Sequence, residues 1–98
     1  MKEVITSSKN PEVKYLRKLY RARKRRKEDK FILEGSRFIE QALDSGCTLT
    51  GVFVTPDFTE EELLSRIKKQ RVKITYLASS LLKKVADTVS PHGIIAHA

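Results

Sequence analysis

Residues 21–30, read Arg-Ala-Arg-Lys-Arg-Arg-Lys-Glu-Asp-Lys, place six cations in the seven positions before Glu28. A block of like charge repels itself and has no place in an apolar interior, so it stays solvated or meets an anionic partner. It stops abruptly at Phe31, Ile32 and Leu33, which Glu34 and Gly35 follow. Residues 1–30 hold 12 Lys/Arg against 4 Asp/Glu, and residues 31–98 hold 8 against 8. The whole formal charge of +8 therefore belongs to the first 30 residues. Any fold of this chain must set a cationic front against a neutral body.

That body is of single-domain size. A chain of 98 residues buries roughly 60–70% of its unfolded surface, enough for one modest core without covalent staples. The 40% hydrophobic content argues against disorder over most of the length. Cys47 is the sole cysteine, which excludes an intramolecular disulfide or a cysteine-rich zinc site and points to a reducing compartment. The N-terminal residues lack the apolar stretch of a signal peptide, and no run approaches a membrane span, so a soluble, cytoplasmic protein is expected.

Along the chain, residues 1–9 read as an extended arm without helical period. Asn10 and Pro11 are a good helix start, since Asn can cap free N–H groups and Pro suits the first helical position. Val13, Leu16, Leu19 and Tyr20 then share one face, with Lys14, Arg17, Lys18 and Arg21 around the rest, until about Ala22. Residues 31–33 form a short strand that Gly35 ends by taking a positive φ. Ser36 is the expected cap of a helix with an apolar stripe of Phe38, Ile39, Ala42 and Leu43, stopped by Gly46. Residues 49–54 form a second strand. Thr59 to Glu62 spell a capping box for a helix burying Leu63, Leu64 and Ile67. Residues 72–76 alternate as a strand, Ser79 caps a helix carrying Leu81, Leu82 and Val85, and residues 94–96 begin a last strand.

The order α-β-α-β-α-β-α-β predicts an α/β fold, a small sheet covered by helices and joined by right-handed crossovers where strands are parallel. The expected organisation is a basic arm and helix over residues 1–30, leading into an α/β domain over residues 31–98. The chain ends on a strand without a polar tail, so it is expected to be a fragment of a longer protein.

The basic block is the strongest chemical signal. Lys and Arg bind phosphate backbones by releasing condensed counterions, and a cluster of this size gives salt-sensitive attachment to nucleic acid. Acidic membranes and acidic proteins attract the same charge. No helix-turn-helix or zinc finger is evident, so sequence-specific reading of DNA is not expected. Tyr15 and Tyr20 flank the basic face, where rings can stack on unpaired bases; the alternative for Tyr20 is a ring packed inward with only its hydroxyl exposed. Arg37 falls at a helix start near the carboxyl end of a strand, the edge at which open α/β sheets bind ligands. The alternative is a surface ion pair with Glu34 or Glu40.

Catalytic candidates are poor. His92 and His97 are separated by a strand and lack the spacing of a metal site or triad. Cys47 reads as an ordinary semi-buried thiol beyond a helix end, and Glu60, Glu61 and Glu62 suit the helix dipole they sit on. The glycines at 35, 46, 51 and 93 are isolated and form no phosphate-cradling loop. By its residues alone this chain is a binder, with no enzymatic activity expected of it.

Three segments in order resemble a known family: Ser8-Lys-Asn-Pro-Glu-Val-Lys-Tyr-Leu-Arg-Lys-Leu19, Arg25-Arg26 leading to Phe31-Ile-Leu-Glu-Gly-Ser-Arg37, and Pro91-His-Gly-Ile-Ile-Ala96. Together they look like the N-terminal substrate-binding domain of SpoU (TrmH-type) RNA ribose 2′-O-methyltransferases. The resemblance implies a fold like that of ribosomal and kink-turn-binding proteins, holding structured ribosomal or transfer RNA. It also implies a following trefoil-knot domain that binds S-adenosylmethionine and dimerises; this chain matches none of that domain's motifs, so no cofactor is expected here. On charge and position, the residues expected to meet RNA are Lys14, Lys18, Arg21, Arg23, Lys24, Arg25, Arg26, Lys27 and Lys30, with Glu34 and Arg37 at the sheet edge. An alternative is a stand-alone ribosomal or kink-turn-type binder. Such proteins usually carry an Asn-Glu pair after the first strand's glycine, where this chain reads Gly35-Ser-Arg-Phe-Ile-Glu40. A third reading is a protein-interaction module whose basic block docks on an acidic partner.

Overall fold

Five strands hydrogen-bond in the order β1-β4-β3-β5-β2. In chain order the elements are β1 (Val4–Ile5), α1 (Pro11–Arg25), β2 (Ile32–Glu34), α2 (Ser36–Asp44), β3 (Gly51–Val54), α3 (Glu61–Lys69), β4 (Ile74–Leu77), α4 (Ser79–Val85) and β5 (Ile94–His97). This is a computed structural model, and it describes residues 3–25, 31–86 and 93–98, with backbone alone for 22–25. β1, β4 and β3 run parallel, and β5 lies antiparallel between β3 and β2. The α/β class read from the sequence holds. The element order does not: a strand precedes the first helix, because Val4 and Ile5 of the supposed arm pair with Tyr76 and Leu77.

The period of two along the strands divides the core in two. Phe53, Leu77 and Ile95 face one way and pack with Val13, Leu16 and Tyr20 of α1 and Leu81, Leu82 and Val85 of α4. Their strand neighbours Val52, Val54, Ile94 and Ala96 face the other way, against Ile39 of α2 and Leu63, Leu64 and Ile67 of α3. Every residue of β3 and β5 is buried, as expected of central strands covered on both faces. Each fully buried aliphatic or aromatic side chain contributes about 1.5–3 kcal/mol relative to exposure, so these two clusters hold the layers together.

Helix ends show where local chemistry was decisive and where it was overruled. Asn10 caps α1 as its residue type demands: Asn10 Oδ1 accepts from the Glu12 N–H at 2.8 Å. α2 ends as Gly46 predicts, at φ 82°; the Gly46 N–H donates to Leu43 O and the Cys47 N–H to Ala42 O, the two bonds of a Schellman motif. The three other expected caps do not form. Gly35, at φ 93°, occupies the N-cap of α2, and Ser36 lies inside the helix, donating its hydroxyl to Glu60 Oε2. Thr59 gives way to Glu60 at the start of α3, and Ser79 to Ala78 at the start of α4, neither with a side-chain cap. The Glu60 carboxylate is engaged across the sheet edge with Ser36, so the local box loses to a tertiary contact.

Two expected core assignments also change. Phe38 is 59% exposed, while Ile39 of the same stripe is fully buried. α2 is only nine residues long and presents a narrow face to the sheet, so the apolar stripe is wider than the surface available to it. Cys47 is exposed rather than semi-buried, because the helix-ending turn lifts it off the core. The loop it begins is pinned by Gln70, whose amide donates to Cys47 O and accepts from the Leu49 N–H.

Candidate nucleic-acid interface

The α1 face opposite the core carries the described part of the cationic front. Val13, Leu16, Leu19 and Tyr20 are buried, which forces Lys14, Arg17, Lys18 and Arg21 outward, and all four are exposed. At 3.6 residues per turn their directions fall within about a third of the helix circumference. Arg17 therefore belongs to the same stripe, although charge clustering alone pointed to Lys14, Lys18 and the block from Arg21 onward. The signal for it was the spacing i, i+3, i+4, i+7 across residues 14, 17, 18 and 21. The α1 backbone continues through Arg23, Lys24 and Arg25, whose side chains lie outside the described part. Arg26, Lys27 and Lys30 lie outside the described residues altogether.

The two sheet-edge residues do not join this stripe as one surface. Arg37 is the second residue of α2 and is exposed, so it rides on the layer opposite α1. Glu34 is half-buried at the end of β2 and pairs in register with Ile95, whose side chain packs on the α1 face. The sequence placed Glu34 and Arg37 together; the reversal of side between strand and helix separates them. Tyr20 packs its ring inward as one reading expected, yet its hydroxyl is buried as well. Tyr15 is half-buried beside the basic stripe.

A second constellation lies beneath the first turn of α1, and no local pattern announced it. His97, at the end of β5, is only 6% exposed. Its Nδ1 is paired with the Thr50 hydroxyl, and its ring meets Tyr15 edge-on, with centroids 5.3 Å apart and planes at 76°. Gly51 lies opposite His97 in the ladder, and a Cβ there would stand 2.6 Å from the imidazole Cε1. Glycine is therefore what lets the ring lie flat against β3. At the mouth, Lys73 Nζ donates to Glu12 Oε1 at 2.8 Å, and the Thr75 hydroxyl donates to Glu12 Oε2 at 3.3 Å. Glu12, Tyr15, Thr50, Gly51, Lys73 and His97 line an open cleft of about 400 Å³. Its partners are 47 residues apart for His97 and Thr50, and 61 for Lys73 and Glu12, beyond the reach of any short motif.

Against known proteins, the family model described as MRM3-like substrate binding domain matches residues 10–96. An uncharacterized tRNA/rRNA methyltransferase of Synechocystis sp. is 34% identical over 94 residues, covering 94% of this chain and 34% of that protein. Among solved structures, an rRNA methyltransferase from Sinorhizobium meliloti superposes with a TM-score of 0.77 at 20% identity, over 97% of this chain and 36% of the other. An RNA 2′-O ribose methyltransferase superposes with a TM-score of 0.76 at 30% identity, over 97% and 36%. The chain thus spans about a third of the length of the relatives it matches.

Proposed function

Because the chain belongs to the MRM3-like substrate binding domain family, we propose that it holds structured RNA for methylation. The observation that carries this reading is the exposed Lys14, Arg17, Lys18 and Arg21 stripe on α1, which leads directly into the Arg23 to Lys30 block. Lys and Arg side chains so placed neutralise successive phosphates and fix the orientation of an RNA without reading its sequence. Arg37, on the other layer, makes a separate contact at the carboxyl edge of β2.

In the full protein the RNA is ribosomal or transfer RNA in the cytoplasm, and the reaction is methyl transfer to a ribose 2′-hydroxyl. S-adenosylmethionine supplies that methyl group from a following knot domain, through which the parent dimerises. Among the described residues the glycines serve the fold, Gly35, Gly46 and Gly93 by taking positive φ and Gly51 by making room for His97, so the cofactor is assigned to the following domain. The work of this chain is to bind and orient.

Titration of the 98-residue chain with a structured ribosomal RNA fragment at several salt concentrations tests the reading. Replacing Lys14, Arg17, Lys18 and Arg21 together by Gln is expected to lower the log–log salt slope by about 3, since each phosphate contact contributes roughly 0.7–0.9. An unchanged slope, or no binding at low salt, overturns it. Retained affinity for an acidic protein alone would assign the stripe to a protein partner.

A further inference from the structure

We infer that the cleft beneath α1 takes up one unpaired guanine base, a reading that rests on the RNA-holding role and names what the site selects. Its size falls within the ordinary range of small-ligand pockets, about 300–1,000 Å³. The wall is aromatic, because Tyr15 lines the cleft with its ring braced edge-on by His97. Stacking of a base on such a ring is worth about 1–3 kcal/mol and accepts any base. Gly51 makes room for the His97 ring, and the two together form the floor of the cleft.

Selection comes from the mouth. Glu12 and Lys73 set a carboxylate beside an ammonium 2.8 Å away. Glu12 Oε1 accepts from Lys73 and Oε2 from Thr75, and each carboxylate oxygen has two acceptor sites, so one per oxygen remains. Guanine presents N1–H and N2–H donors next to the O6 acceptor, which matches two carboxylate oxygens next to an ammonium. Adenine, cytosine and uracil each turn at least one acceptor toward the carboxylate in the same pose. Lys18 lies one turn beyond Tyr15 on the same helix, on the neighbouring part of its surface.

The same chemistry is offered by a guanosine in RNA and by a free guanine nucleotide, and the experiment separates them. The ¹⁵N-labelled chain is titrated at low salt with a uridine pentanucleotide carrying a central guanosine, with the central-adenosine version, and with GMP. The guanosine strand is expected to shift the amides of Glu12, Tyr15, Thr50 and Gly51 and to bind at least about tenfold more tightly than the adenosine strand. Glu12→Gln should abolish that preference, bringing the affinity for the guanosine strand level with that for the adenosine strand, because the paired carboxylate oxygens that accept from guanine are gone. Tyr15→Leu should weaken the guanosine strand without changing the salt slope.

Equal affinity for both strands, with shifts confined to the outer face of α1, would remove the guanine site and leave the RNA-holding role standing. GMP binding as tightly as the guanosine strand would replace an RNA base by a free nucleotide as the ligand. If neither strand binds while the structured ribosomal RNA fragment still does, the guanine site is removed and the RNA-holding role stands. If that fragment fails as well, the RNA-holding role fails and GMP decides the cleft alone: shifts at those four amides keep a guanine site, and their absence removes it.

Discussion

Gly51 and His97 face each other across the β3–β5 ladder, and the side chain that one lacks is the space that the imidazole of the other occupies. A Cβ at position 51 would force the ring off Thr50 and Tyr15 or push β3 away from β5. Gly51→Ala is therefore expected to lower stability by about 1–3 kcal/mol, the usual range for overpacking, read by urea unfolding. In the Gly51→Ala, His97→Ala double variant the loss should be smaller than the sum of the two single losses, because the clash is shared. Simple additivity would mean that the ring does not lie where the ladder puts it.

Arg71, just past the C-cap of α3, stands at φ 59°, a left-handed conformation that costs an L-residue with a side chain about 1–2 kcal/mol. α2 makes the same kind of stop with Gly46. Arg71→Gly is expected to raise stability, by somewhat less than that figure because glycine also loosens the unfolded chain. Gly46→Ala should lower it by a similar amount, since nothing lies within 4 Å of the added methyl and only the backbone objects. A gain at Gly46→Ala would contradict the turn.

Neighbouring positions on α3 separate burial from surface charge. Ile67 is 0% exposed in the cluster beneath α2 and α3, and Ile67→Ala should cost about 2–5 kcal/mol. Arg66 makes a 2.8 Å ion pair with Asp44 between exposed side chains, and Arg66→Ala should cost no more than about 1 kcal/mol. Chemical unfolding of both variants checks the ranking, and equal losses would undo the account of where the stability lies.

Cys47 is exposed at the end of the α2 turn. A neutral alkylating reagent should modify it in the native protein at close to the rate seen in denaturant, without unfolding the chain. Protection of ten-fold or more would place the thiol in the core after all.

Arg37 sits on the layer opposite the α1 stripe, so its contribution to RNA binding should be independent of that stripe. Arg37→Gln is expected to lower the salt slope by about 0.7–0.9 in both the wild-type and the α1-neutralised background. A change seen in only one background would show that both surfaces grip one stretch of phosphates.

What the sequence determined by itself is what depends on neighbours within a turn or two. The buried stripe of Val13, Leu16, Leu19 and Tyr20, the Asn10 cap, the Gly46 stop and the burial of Leu63, Leu64 and Ile67 all follow from helical spacing and residue type. So does the outward stripe of cations, because burying one face of α1 leaves nowhere else for them. Tertiary structure decided what depends on partners far away in the chain. Val4 and Ile5 are too few to show a period, and only Tyr76 and Leu77 make them a strand. Thr59 is a good cap in isolation, yet Glu60 is drawn to Ser36, 24 residues away. The Tyr15, Thr50 and His97 cluster exists because the antiparallel β3–β5 pairing closes a long loop around Gly51. Local preferences of a few tenths to one kcal/mol set such features only where no packing contact of several kcal/mol competes.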